Sequence, residues 1–261
     1  MTEPQVYIIT RPTLDLKQIE RFLSSLNLKW LRTSGATEAE ELIEFSGRVC
    51  YLSFGEKQSP RSNGEYIRNL ITSGHESVLE HASWSLLLTN ISRAFTHQLV
   101  RHRVGIAFSQ LSQQYHDEGE AQFVMPTELA SFPEARAVWE AHSQSSTRAY
   151  ELLKSLLAND SGLAMNPKER NRMIRSAARS VLPNSTETKI VMTANARAIR
   201  HFLKIRGNIL GDYEMRLVAA RILNIVKAEA PGVFYDFKVH HLPDGSPQVI
   251  QVVDETASTP D

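Results

Sequence analysis

Residues 99–115, LVRHRVGIAFSQLSQQY, set Arg101, His102 and Arg103 side by side in a stretch without a single acid. A guanidinium taken out of water needs a counter-charge or a full set of acceptors. Arginines flanked by Leu99, Val100 and Val104 therefore point to an anionic ligand or, more plainly, to a solvated basic helix end favoured by the helix dipole. On a helix three consecutive residues fan across about 200°, so the triplet cannot face one pocket. Either part of it meets solvent or it serves several ligands or subunits at once.

Two other stretches concentrate reactive side chains. GHESVLEH, residues 74–81, holds two histidines and two acids, but Leu79 stands where a HExxH zinc motif needs histidine. His75, His81, His97 and His102 have no recognised metal-ligand spacing, and no metal is expected. From Lys168 to Arg206 runs a basic stretch with Arg172, Arg175, Arg179, Arg197 and Arg200, whose acids are only Glu169 and Glu187. Asn195 and Arg206 lie eleven residues apart, so on a continuous helix they share a face with Ile199 and Phe202. Such a mixed face suits a flat, partly aromatic ligand or a subunit contact.

The elements that must position these residues can be read from periodicity. QVYIIT alternates as a strand, and LKQIERFLSSLN repeats as a helix. Thr37 and Glu40 form a capping box for a helix with Leu42, Ile43 and Phe45 as its buried stripe, ending around RVCY. A polar loop over 55–64 precedes a helix, EYIRNLITSG, closed by Gly74. ASWSLLLTN reads as a strand and ISRAFTHQLVRH as an amphipathic helix, which places the RHR triplet at a helix end and the residues after it in a loop. Helical patterns cover about 132–157 and 167–180; ETKIVMTAN is a strand, ARAIRHFLKIR a helix, and DYEMRLVAARILNIVKAEA a last helix stopped before Pro231. No GxGxxG turn follows a strand, so a cofactor is not expected on a Rossmann turn. The tail from 251 to 261 is expected to be disordered, with one catalytic domain over 1–250.

Composition narrows the class. The chain has 261 residues, 42% apolar and 22% charged, with Lys plus Arg and Asp plus Glu at 29 each. A balanced charge gives no global field to attract nucleic acid or an anionic membrane, so any anion site is local. The single cysteine, Cys50, excludes an internal disulfide and suits a reducing compartment. The first residues lack the pattern of a signal peptide, and no apolar run reaches the roughly 20 residues of a membrane span. A soluble cytoplasmic protein is expected.

In order and combination, GHESVLEH, QLVRHR, SQLSQQY, ARSVLPN, and NARAIRHFLKIR followed by EMR resemble the flavin-dependent thymidylate synthases, the ThyX family. The resemblance runs from about Arg48 to Phe237. It implies an α+β fold with helices around a largely antiparallel, non-Rossmann sheet, and a homotetramer with active sites between subunits. It also implies reductive methylation of dUMP to dTMP, with FAD as cofactor and NADPH and 5,10-methylenetetrahydrofolate as co-substrates. The residues it places at dUMP are Gln98, Arg101, Gln110, Ser112, Gln114, Arg179 and Arg206. Those it places on the flavin and folate side are His75, Ser77, Glu80, Arg101, His102, Arg103, Asn195, Arg197 and His201. Arg206, Ser112 and His75 are its candidates for catalysis. Arginine forks suit phosphate and carbonyl oxygens, and amides can read a uracil edge.

The chain departs from the family pattern at several points. Eight residues separate Arg103 from Ser112, one more than usual, and Gln114 stands where relatives usually carry arginine. Leu210 replaces a frequent histidine, and Cys50, near flavin in the family, is not expected to be a nucleophile. Two alternatives remain at this stage: an enzyme of the same scaffold acting on another pyrimidine nucleotide such as UMP, and a non-catalytic nucleotide- or RNA-binding protein. Structural readings also stay open for single residues: His75 as a helix brace, Ser77 as an N-cap, Arg197 and Arg200 as surface charges, and Tyr115 as core.

Overall fold

The computed structural model describes residues 3–159 and 166–252. The expected disordered tail falls from 253 onward outside the described residues, while Gln251 still belongs to a strand. The chain forms two compact units: one contains Leu88–Arg101 and Phe108–Val191, the other Val6–Leu87, His102–Ala107 and the residues from Met192 on. Strands β1 (Gln5–Thr10), β2 (Ser83–Ser92), β3 (Ile106–Gln110) and β4 (Glu187–Asn195) make a four-stranded sheet in the order β1-β2-β4-β3. A second sheet pairs β5 (Phe237–His241) with β6 (Pro247–Gln251) antiparallel, Val239 opposite Val249. With the helices below, this is an α+β architecture.

In the second unit, α1 (Leu16–Ser25) and α2 (Glu38–Val49) precede α3 (Asn63–Thr72). Thr37 accepts from Glu40 N while the Glu40 carboxylate accepts from Thr37 N, the expected capping box. The buried side of α2 is not the expected apolar stripe. Ile43 is buried, but Leu42 and Phe45 are only partly covered, and Glu40, Glu44 and Arg48 lie inside. They are tolerated because they are paired: Arg48 Nε donates to Glu44 at 2.7 Å, Asn63 Nδ2 donates to Glu44 at 2.7 Å, and Gly232 N donates to Glu40 at 2.6 Å. Helix α8 (Tyr213–Glu229) supplies the conventional core, with Met215, Val218, Ile222, Leu223 and Val226 fully buried. Each such large side chain contributes about 1.5–3 kcal/mol relative to exposure.

In the first unit, α4 (Arg93–Leu99) is capped by Ser92, whose hydroxyl accepts from Phe95 N. The helix starts two residues later than expected because Ile91 and Ser92 still belong to β2. α5 (Pro133–Ala158) and α6 (Pro167–Ala178) pack on one another, each opened by a proline whose missing N–H costs nothing at that position. A 3-10 turn, Arg179–Val181, leads to β4, which passes at Asn195 into α7 (Ala196–Arg206).

The RHR triplet does not lie on a helix. α4 ends at Leu99, Val100 caps it, and Arg101–Gly105 form a turn closed by Ile106 N to Arg103 O at 3.4 Å. Gly105 holds φ +71, which a residue with a side chain adopts only under strain. The segment expected as a loop then becomes β3. The hairpin of β5 and β6 is likewise additional; its signal is PDG between alternating residues, with Asp244 Oδ1 accepting from Ser246 N at 2.9 Å and Gly245 at φ +78.

Candidate active site

β4 and α7 meet at one residue that performs two tasks. Asn195 N donates to Gly105 O at 3.1 Å, and Asn195 Oδ1 accepts from Ala198 N at 2.8 Å, capping α7. A Cβ on Gly105 would come within 2.6 Å of Asn195 Nδ2, so the glycine is needed for this approach as well as for its φ. Beyond the cap, Arg197, His201 and Lys204 stand at i, i+4 and i+7, one face of α7. They line a cavity of about 470 Å³ together with Glu76, Glu80, Val104, Gly105, Asn195, Phe237 and Gln251. That volume lies within the range of small-molecule sites. Val104, one of its lining residues, is 91% exposed.

One end of this cavity is already balanced in charge. Arg197 Nη1 donates to Glu80 Oε1 at 2.6 Å and lies 3.8 Å from Glu76. Arg200, an open case in the sequence, is neither a surface charge nor free for a ligand. It is 5% exposed, forked onto Asp236 at 2.7 and 2.8 Å, and donates to Val233 O at 2.6 Å. Burial pushes the Asp236 carboxyl up, but the hydrogen bond and charge of Arg200, with Gln251, outweigh it and hold the carboxyl below its usual range. Arg200 is therefore a brace that fixes α7 to the segment before β5.

His102 and Arg206 come together in the same unit. Arg206 Nε donates to His102 Nε2 at 3.0 Å, and the imidazole meets Phe202 and His201 edge to face at 5.5 and 5.9 Å. Burial, then the charge of Arg206, then His201 hold the His102 pKa below its ordinary value of 6.5. The ring is accordingly neutral near pH 7, with Nε2 accepting and its proton on Nδ1. The Arg103 side chain is exposed and has no acid partner among the described residues. His75 N closes α3 by donating to Leu70 O at 2.8 Å, but its side chain caps nothing and is exposed, as is that of Ser77 on the following 3-10 turn, Glu76–His81.

The first unit holds the other expected residues. Gln98 and Arg101 lie at the end of α4, Arg101 exposed and without an acid partner among the described residues. Gln110 closes β3, its amide donating to Thr96 at 3.0 Å and Thr188 at 3.3 Å. Ser112 heads a tight turn: its carbonyl accepts from Tyr115 N and His116 N, and its hydroxyl from Gln114 N. Among the described residues no base bonds that hydroxyl. Gln114 lines an open cavity of about 540 Å³ with Glu169, Arg172, Met173 and Ser176 of α6. Tyr115 is not core: it is exposed, with the Arg172 guanidinium 4.7 Å over its ring and its carbonyl accepting from Arg175. Arg179 follows α6 and is close enough to Arg93 for their charges to repel.

Arg93 escaped the sequence reading. It donates to Leu111 O at 2.9 Å and lies 3.7 Å from the buried Glu118, holding the turn that carries Ser112. Burial pushes the Glu118 carboxyl up, against Arg93, His116 and Gln113. In the other unit Val104, Gly105 and Lys204 line the α7 cavity without having been expected there; the glycine that follows RHRV is the one sequence signal, and it bears on Val104 and Gly105 alone. Among the described residues no group of three His, Cys, Asp or Glu is arranged to hold a metal ion, and no helix is long and apolar enough to cross a membrane. Each unit thus presents anion-matching groups beside apolar and amide surface, the chemistry of a nucleotide or planar heteroaromatic site.

Comparison with known proteins gives this chemistry a context. A family model described as thymidylate synthase complementing protein matches residues 33–232. The chain is 43% identical over 228 residues to a flavin-dependent thymidylate synthase of Mycobacterium marinum, covering 86% of this chain and 89% of that protein. It is 44% identical over 235 residues to one from a Mycobacterium species, covering 86% and 88%, and 40% identical over 227 residues to one from Corynebacterium diphtheriae, covering 86% and 89%.

Proposed function

The chain belongs to the flavin-dependent thymidylate synthase family, and from that premise we propose that it makes dTMP from dUMP by reductive methylation, with FAD as its flavin, methylenetetrahydrofolate as one-carbon donor and NADPH as reductant. The observation that carries the reading is the α7 cavity, which gathers Glu80, Asn195, Arg197 and His201 on one surface. The residues fit a flavin. Gly105 leaves backbone open where a Cβ would strike Asn195, Val104 offers an apolar contact, and Arg197 and His201 offer donors. Flavin supplies hydride transfer, which no side chain can supply.

The chain's own share is binding and electrostatics. Arg206, oriented by His102, stabilises negative charge that develops on the uracil carbonyl as carbon 5 becomes nucleophilic. Arg101 and Arg179 take the nucleotide phosphate, and Gln98, Gln110, Ser112 and Gln114 orient the rest. His75, Ser77, Glu80, His102 and Arg103 complete the flavin and folate side. The assembly is a homotetramer with active sites between subunits, working in the cytoplasm.

The test is direct. Purified protein titrated with FAD should quench flavin fluorescence, and NADPH should bleach the bound flavin faster when dUMP is present. Tritium release from carbon-5-labelled dUMP and UMP, run side by side, should favour dUMP. Protein that takes up no flavin, or releases tritium faster from UMP, overturns the reading.

A further inference from the structure

The cavity face of α7 carries its cations unequally. Arg197 is already matched by Glu80 at 2.6 Å and Glu76 at 3.8 Å, and Asp236, the other nearby carboxylate, is held by Arg200 and by Gln251 Nε2 at 2.7 Å. Lys204 lines the same cavity two turns further along, about 10 Å in axial rise from Arg197, and is exposed. Among the described residues no acid pairs with it. An ammonium on a flexible stem with three donors is a point-charge partner for phosphate. His201 and Gln251 line the same cavity and add no negative charge, the Gln251 amide being already engaged with Asp236.

We propose that Lys204 is a phosphate-binding residue of the α7 cavity, supplying the positive charge that Arg197, engaged with Glu80 and Glu76, does not. The inference rests on the reading of this cavity as a flavin site and adds a residue and a ligand group to it. Two dinucleotides carry the required phosphate: the diphosphate of FAD, and the phosphates of NADPH. Lys204 therefore separates phosphate-bearing ligands from their phosphate-free analogues instead of gripping the flavin ring.

The experiment measures equilibrium dissociation constants for FAD and riboflavin, by flavin fluorescence, and for the NADPH site by calorimetry on FAD-loaded enzyme with NADP+, which carries the same phosphates and cannot reduce the flavin. It compares wild type, Lys204→Gln and Lys204→Arg at two salt concentrations. Lys204→Gln should weaken FAD or NADP+ about tenfold, the loss of one charge-assisted bond. Riboflavin should be unaffected, Lys204→Arg should retain most of the affinity, and the salt dependence should flatten in the glutamine variant. Loss confined to FAD assigns the flavin diphosphate; loss confined to NADP+ assigns the nicotinamide cofactor. Equal loss for FAD and riboflavin, or no loss for either dinucleotide, overturns the proposal while leaving the flavin reading intact if wild type binds FAD. Wild type that binds no flavin removes both. Because Lys204 is exposed, thermal melts of the variants should match wild type, and a variant that melts early is replaced by Lys204→Met.

Discussion

Arg206 donates its Nε–H to Nε2 of His102 across 3.0 Å, and that bond decides which ring nitrogen of the histidine carries the proton. A protonated imidazole has no lone pair at Nε2 to accept, so the bond and the positive charge both favour the neutral ring. His102 follows Arg101 directly in sequence yet is not an additional cation at neutral pH. The triplet thus presents two permanent charges and one donor.

His102 should accordingly titrate below 6.5 in a nitrogen-detected NMR experiment, with its proton on Nδ1. Arg206→Gln should move that midpoint up, since burial remains but the cation is gone. The sign for stability follows: the unfolded chain binds this proton near pH 6.5 and the folded chain only at lower pH. Stability from this group is present above that value, declines as pH falls through it, and levels off below the folded midpoint. The difference between wild type and His102→Gln isolates the effect, and a midpoint unmoved by Arg206→Gln refutes it.

Asp236→Ala should destabilise by about 3–5 kcal/mol, because it leaves Arg200 buried without its counter-charge. Replacing both partners by apolar residues, Arg200→Met with Asp236→Leu, should recover much of that loss. Urea melts measure both. A single-variant cost below about 1 kcal/mol is incompatible with the buried fork.

Gly105→Ala should lower stability by about 1–3 kcal/mol and weaken flavin binding, since it combines a left-handed φ with a collision at the α7 cap. Asn195→Ala, which removes the cap alone, should cost about 1 kcal/mol. If Gly105→Ala melts with wild type, neither the turn nor the cap depends on that glycine.

Gln114→Arg should tighten dUMP by about 1 kcal/mol and steepen the salt dependence of binding, if the added charge reaches the phosphate. Its setting beside Arg172 and Glu169 gives the new guanidinium a cation to avoid and an acid to distract it, so dUMP, UMP and deoxyuridine must be titrated together. Unchanged dUMP affinity, with deoxyuridine binding wild type equally well, removes the phosphate from this pocket.

Cys50→Ala should leave thymidylate synthesis within about twofold of wild type. Cys50 is exposed at the end of α2, and its thiol donates to Ser46 O at 3.5 Å with no base bonded to it among the described residues. Lost turnover with folding and flavin binding intact, together with a cysteine adduct seen by mass spectrometry, points instead to a covalent route.

The parts of the fold set by local pattern were legible. Glu187–Asn195 followed by Ala196–Arg206 could be read directly, because the hydrophobic period changes from two to 3.6 at a capping asparagine. The buried side of α2 could not, because Glu40 and Glu44 are acceptable inside only through Asn63, Arg48 and Gly232, most of them remote in sequence. The 200° fan failed for a local reason: the helix stops at Leu99, short of the triplet, and the chain turns through Gly105. Of the residues that line the α7 cavity, Glu80, Asn195, Arg197 and His201 could be expected together from the order of their blocks. Arg93 and the brace role of Arg200 could not, since each depends on which carboxylate another element brings near it: Glu118 for the first and Asp236 for the second.

The hydrogen bond from Gly232 N to Glu40 spans 192 residues of chain. Ribosomes add about 5–20 residues per second, so this carboxylate waits roughly 10–40 seconds for its last partner to be synthesised. During that interval Glu44 already has Arg48 and Asn63, while Glu40 lacks the partner that completes its burial. The nascent second unit thus closes late, from its far end, and newly made chains should remain sensitive to protease or dependent on chaperones until the residues around Gly232 have left the exit tunnel.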